Sequence, residues 1–167
     1  MIVYTRRIVC EFYGIEVKHC MKILVINGPN LNFLGIRNRA VYGNEDYGYL
    51  VNMIKEYCAG KGIEVEIYQS NHEGAIIDKI QESYYNNVDG IVINPGAYTH
   101  YSYAIADALE SVETITKIEI HISDINSREE FRRTSVTKAS CDDQIVGCGL
   151  KGYLMAIDRV CEIRNDA

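Results

Sequence analysis

The chain has 167 residues, of which 47% are apolar and 24% charged, and a formal net charge of −6. That length suits one domain with a sizeable core and is short for two. The acidic balance argues against a broad nucleic-acid or membrane-surface footprint, and no apolar run is long enough to span a bilayer.

Residues 1–20 stand apart from the rest of the chain. The stretch M-I-V-Y-T-R-R-I-V-C-E-F-Y-G-I carries charges where a secretory leader needs an unbroken apolar core, so the expected compartment is the cytoplasm. Its segments I-V-Y-T and F-Y-G-I-E-V read as a hairpin that would add to a sheet edge. The six cysteines form no C-x-x-C pair and read as free thiols in a reducing compartment. His19–Cys20 lacks a second pair at ligand spacing, so no metal site is expected.

From Met21 onward the pattern alternates. K-I-L-V-I-N is a compact apolar run suited to a central parallel strand. The spacing predicts a helix over Asp46–Gly60 with Leu50, Ile54, Tyr57 and Cys58 on one face, a strand over Ile63–Gln69, and a helix over Glu73–Asn86. Asp89–Asn94 follows as a buried strand, Thr99–Val112 as a helix, Thr116–Ile122 as the fourth strand and Gln144–Gly147 as a short fifth. The closing helix carries Leu150, Leu154, Ile157 and Cys161 at helical intervals. This β-α-β-α order predicts a single domain over residues 21–167. Its sheet should be parallel and doubly wound, flavodoxin-like, with strand order 2-1-3-4-5 and helices on both faces.

Open α/β sheets bind ligands beyond the carboxyl ends of their strands. Three separate segments fall at that edge: N-G-P-N-L-N after the first strand, N-P-G-A-Y-T-H after the third, and His121 at the end of the fourth. His121 exchanges protons near neutrality and is followed by Arg128 and Arg132, fixed cations suited to a small anion. Ser123 and the backbone at Ile122 could hold a carboxylate, whereas Glu129 and Glu130 could instead neutralise the arginines as exposed ion pairs. Asn94 could hold a hydroxyl and His100 a carboxylate or hydroxyl. Exposed N–H groups beside Gly96 would favour an anion. His72 calls for no more than a structural role, and Asp107 reads by default as a solvated or interface charge.

The connection from Asn27 to Asp46 is long enough to be a lid, and it carries Arg37 and Tyr42. A tyrosine serves as a base only if its pKa of about 10 falls. One guanidinium at ~4 Å with an effective dielectric of ~20 contributes about 4 kcal/mol, enough to lower a pKa by roughly three before desolvation opposes it. On residue types alone, a solvated arginine and a tyrosine packed over the sheet edge is the simpler reading.

Taken together, these segments resemble type II 3-dehydroquinate dehydratase. The resemblance runs from Met21 to about Ile163. It rests on I-N-G-P-N-L-N, the spacing of Arg37 and Tyr42, Q-S-N-H-E-G, N-P-G-A-Y-T-H, E-I-H-I-S with R-E-E-F-R, and G-C-G-L-K-G-Y. It implies anti elimination of water from 3-dehydroquinate to 3-dehydroshikimate, in the shikimate pathway, without metal or organic cofactor. Tyr42 would be the proton acceptor, Arg37 its phenolate partner, His121 the proton donor, and Asn30 a group on the intermediate or an ordered water. Asn94, His100 and Arg132 would hold substrate hydroxyls, and Ile122 and Ser123 the carboxylate. Asp107 would act from a neighbouring subunit, with Glu119 and Arg128 in support. The family's usual assembly is a homo-oligomer, a dodecamer built from trimers.

The sequence departs from that pattern at Ala106, Asp124, Asn126 and Ser127, and residues 1–20 have no counterpart in it. A flavodoxin-like binding module is the other reading that fold alone permits. A flavin site would ask for a Ser/Thr/Gly phosphate loop where this chain has N-G-P-N-L-N.

Overall fold

The structure, a computed structural model, describes residues 5–9, 16–36, 45–127 and 129–166, with residues 5–9 and 16–19 as backbone alone. Among the described residues there are seven strands: β1 (Thr5–Val9), β2 (Glu16–Cys20), β3 (Lys22–Asn27), β4 (Glu64–Gln69), β5 (Gly90–Asn94), β6 (Thr116–His121) and β7 (Asp143–Val146). The same described residues hold four α-helices: α1 (Tyr47–Lys61), α2 (Glu73–Tyr85), α3 (Tyr103–Ser111) and α4 (Lys151–Asp166).

The five strands from β3 onward form one parallel sheet in the order β4-β3-β5-β6-β7. Counted from β3, this is the expected 2-1-3-4-5, with the chain reversing its direction of travel at β3 and β5. All of β5 and β6 is buried, as is β3 beyond Lys22. The apolar runs of β3 and β5 reflect a sheet covered on both faces, whereas β6 buries Lys117, Glu119 and His121 in alternation with its isoleucines.

Strand alternation divides that core into two layers. Ile23, Val25, Val92, Ile118 and Ile120 face Leu50, Ile54 and Cys58 of α1 and Tyr153, Ile157 and Val160 of α4. Leu24, Ile26, Ile91 and Ile93 face Ile76 and Ile80 of α2 and Ile105 and Leu109 of α3. Each side chain of this size, once buried, contributes roughly 1.5–3 kcal/mol of transfer free energy. The two layers fix the strand register, and with it which residues stand at the carboxyl edge.

Two expectations are revised. The helix expected over Thr99–Val112 is split: Gly96–His100 is a tight 3-10 turn, and α3 begins only at Tyr103. The Ser102 hydroxyl accepts from the Ile105 N–H at 3.0 Å, so it is the cap that sets the start. His100 therefore closes a turn instead of opening a helix. Near the N-terminus β1 and β2 pair antiparallel, Thr5 opposite Cys20 and Val9 opposite Glu16, in a two-stranded sheet of their own that does not extend the main sheet. They overlap the expected segments I-V-Y-T and F-Y-G-I-E-V only at Thr5, Glu16 and Val17, and the rest of those segments lies outside the described residues.

Candidate active site at the carboxyl edge of the sheet

The two proline turns meet because two glycines let them. A Cβ on Gly28 would stand 2.4 Å from the Pro95 carbonyl oxygen, and the Gly28 N–H donates to the Asn94 carbonyl at 2.8 Å. Gly96 has φ +61°, a left-handed conformation suited to glycine, and packs on the Pro29 carbonyl. Asn30 is also left-handed, at φ 65°, which asparagine tolerates better than most side chains. Its N–H donates to Asn71 Oδ1 at 2.9 Å, giving the Q-S-N-H-E-G segment its contact with the site.

The crevice that results is lined by Asn30, Asn94, His100, His121, Ile122, Ser123 and Arg132, together with Pro29, Leu31, Gly96, Ala97 and Ile125. Seven residues expected at the site thus converge from four separate segments. Arg37, Tyr42 and Arg128 lie outside the described residues. Asp107 is exposed on α3 and is not among the residues lining this crevice. His72, exposed at the start of α2, does not line it either.

Behind His121 stands Glu119, wholly buried. His121 Nε2 lies 2.7 Å from Glu119 Oε1. Ser135 Oγ and Gln144 Nε2 also donate to Oε1, at 2.8 and 2.7 Å, with Thr99 Oγ1 at 3.1 Å, and Thr137 Oγ1 donates to Oε2. Burial pushes the Glu119 carboxyl up, yet the hydrogen bond and charge of His121, with the Thr137 and Ser135 hydroxyls, hold it down to about 2. An ionised carboxylate only accepts, so Nε2 carries the hydrogen toward Glu119. Nδ1 is then the ring nitrogen left for chemistry in the crevice.

His100 is fixed in the opposite sense. Its Nδ1 donates to the Thr134 carbonyl at 2.7 Å, leaving Nε2 as the ring's other nitrogen. Asn94 is oriented by Tyr153: Asn94 Nδ2 donates to the Tyr153 hydroxyl at 2.9 Å, and that hydroxyl donates to Asn27 Oδ1 at 2.6 Å. The Gly96 N–H donates to Asn94 Oδ1 at 3.2 Å, so this amide positions the asparagine and is not free to bind an anion. Arg132 pairs with Glu129 at 3.2 Å and lies over the Phe131 ring at 4.9 Å, so the expected ion pair and a place at the crevice coexist.

Sequence reasoning missed Thr99, Ser135, Thr137 and Gln144 around Glu119, and Asn27 and Tyr153 behind Asn94. Tyr153 ends the motif G-C-G-L-K-G-Y and so carried a signal. S-V-T from Ser135 to Thr137 carried none.

The family model for dehydroquinase class II matches residues 21–161. The chain belongs to that family. A 3-dehydroquinate dehydratase of Lachnospira eligens is 64% identical over 143 residues, 86% of this chain and 97% of that relative. A type II dehydroquinase of Butyrivibrio crossotus of known crystal structure is 74% identical, with a TM-score of 0.84 over 84% of this chain and 97% of its own. The type II dehydroquinase of Propionibacterium acnes is 40% identical with a TM-score of 0.81, covering 86% of this chain and 99% of its own. The expected enzyme class, a hydro-lyase, agrees with these names. Among the described residues, no helix is long and apolar enough to cross a membrane.

Proposed function

We propose that the chain catalyses anti elimination of water from 3-dehydroquinate, giving 3-dehydroshikimate in the shikimate pathway. The observation that carries this reading is the convergence of Asn30, Asn94, His100, His121, Ile122, Ser123 and Arg132 on one crevice in a chain of this family.

In this mechanism Tyr42, as phenolate stabilised by Arg37, takes the C2 proton. The C–H electron pair passes toward the C3 carbonyl, forming an enolate-like intermediate that Arg37 and Asn30 help to hold. As the intermediate collapses, the C1–C2 double bond forms and the C1–O bond breaks. His121 gives its proton to the leaving hydroxyl, which departs as water. Asn94, His100 and Arg132 hold substrate hydroxyls, while Ser123 and the Ile122 backbone receive the carboxylate. Glu119 and Arg128 support this set, and Asp107 reaches the crevice of a neighbouring subunit.

The working unit is a cytoplasmic homo-oligomer, a dodecamer of trimers. Residues 21–167 form its catalytic domain and residues 1–20 an extension. No metal or organic cofactor takes part. Supplying 3-dehydroquinate to the purified protein, with and without residues 1–20, tests the reading directly. Enone absorbance should rise in proportion to enzyme, and a flat trace under conditions where the protein is folded removes the proposal.

A further inference from the structure

The loop between Arg132 and Thr137 reaches the site at several points. Arg132 lines the crevice, and the Thr134 carbonyl accepts from His100. The Val136 N–H donates to the Thr99 carbonyl at 2.8 Å, pinning the loop to the turn after β5. Ser135 and Thr137 both turn their hydroxyls onto Glu119. From the other side, Gln144 on edge strand β7 donates to the same carboxylate. Glu119 thus receives donors from the turn after β5, the 132–137 loop, β7 and its own strand, and one of them is His121.

We propose that Ser135, Thr137 and Gln144 are positioning residues for the proton donor His121, acting through Glu119. This rests on the reading of His121 as the donor. A hydroxyl carries one hydrogen, and a side-chain amide has no acceptor nitrogen, so each of these groups spends a donor on the carboxylate. Such donors favour its ionised form in a site where burial opposes it. While the carboxylate stays ionised it accepts from Nε2, which leaves Nδ1 to address the leaving group. A protonated Glu119 would lose that hold and leave the imidazole free to change tautomer or turn. Near Glu119 stand His121 and the thiol of Cys141, which also feels the charges of Lys117 and Asp142. Burial, and then the Glu119 charge, push that thiol up, so it stays neutral. The remaining donors to Glu119, from Thr99, Ser135, Thr137 and Gln144, are uncharged.

The test compares wild type, the double variant Ser135→Ala/Thr137→Val, Gln144→Leu and Thr137→Ser on 3-dehydroquinate across pH. In the double variant kcat should fall roughly tenfold or more, since hydrogen bonds to charged groups are strong, while KM changes little. Followed through the His121 ring by NMR, the acid titration of Glu119 should move up by about two pH units, into the range where the folded enzyme can be studied. Thr137→Ser keeps the hydroxyl and should retain the wild-type titration. Should the double variant not fold, Gln144→Leu on the edge strand carries the same expectation, with a shift of about one unit. Unmoved titrations in an active series overturn the positioning role, whatever the melting temperature does. A wild type without turnover overturns the functional reading, and this proposal with it.

Discussion

Gly28 and Pro95 approach so closely that a methyl group on the glycine would stand 2.4 Å from the proline's carbonyl oxygen. This contact brings the turn after β3 against the turn after β5, and so places Asn30 beside Asn94. Gly28→Ala should force the turns apart at a cost of about 1–3 kcal/mol, the usual range for overpacking a tight site. It should also weaken substrate binding, since both asparagines would shift. Denaturant midpoints and KM for 3-dehydroquinate check this. An alanine variant matching wild type in both would mean that the turns do not depend on the close approach.

The order of strands was legible because K-I-L-V-I-N and G-I-V-I-N are short apolar runs between helical spacings, and T-K-I-E-I-H alternates as a strand does. Their carboxyl ends then dictated where Asn30, Asn94 and His121 would meet. The start of α3 was not legible, because the side-chain cap at Ser102 outweighs the apolar spacing that runs back to Thr99. Nor were the donors around Glu119. Ser135 and Thr137 sit in a loop whose residue types are ordinary, and only the fold brings them to a carboxylate sixteen and eighteen positions earlier.

Tyr153 joins α4 to both strand ends through Asn27 and Asn94. Tyr153→Phe keeps the ring in the core and removes the hydroxyl, leaving Asn27 Oδ1 and Asn94 Nδ2 each short of a buried partner. The expected loss of stability is about 1–3 kcal/mol. KM should rise as Asn94 loses its fixed orientation. Thermal unfolding and steady-state kinetics measure the two effects separately. A stable variant with an unchanged KM would show that Asn94 is held by its contact with Gly96 alone.

Glu119 also makes stability depend on pH. Its carboxyl is held down to about 2 in the folded chain, against 4.5 for the free group. A depressed folded value means that the contribution is fully present above pH 4.5 and is lost as pH falls toward 2. The amount at stake is on the order of 3 kcal/mol, part of it shared with His121. Denaturant titrations across that window should show wild-type stability falling more steeply with acid than that of Glu119→Gln. Parallel curves would contradict the role assigned to this carboxylate.

Tyr42→Phe isolates the base of the proposed mechanism. Removing the phenol should lower kcat by about 10²–10⁴, the range spanned by general acid–base groups. The ring that remains should leave binding measurable by calorimetry. Near-normal turnover would assign proton removal to another group.

Asp107 is exposed on α3, outside the crevice of its own chain. If it completes the crevice of a neighbouring subunit, Asp107→Ala should raise KM while the fold remains intact. Mixed oligomers give a sharper result. A Tyr42→Phe chain lacks the base but keeps Asp107, and an Asp107→Ala chain has the opposite defect. Co-refolding the two should create some crevices with Tyr42 from one chain and Asp107 from its neighbour. Activity should therefore exceed the average of the two parent variants. That excess should vanish if the subunits are mixed without exchange. A simple average after verified exchange would return Asp107 to the role of a solvated charge on α3.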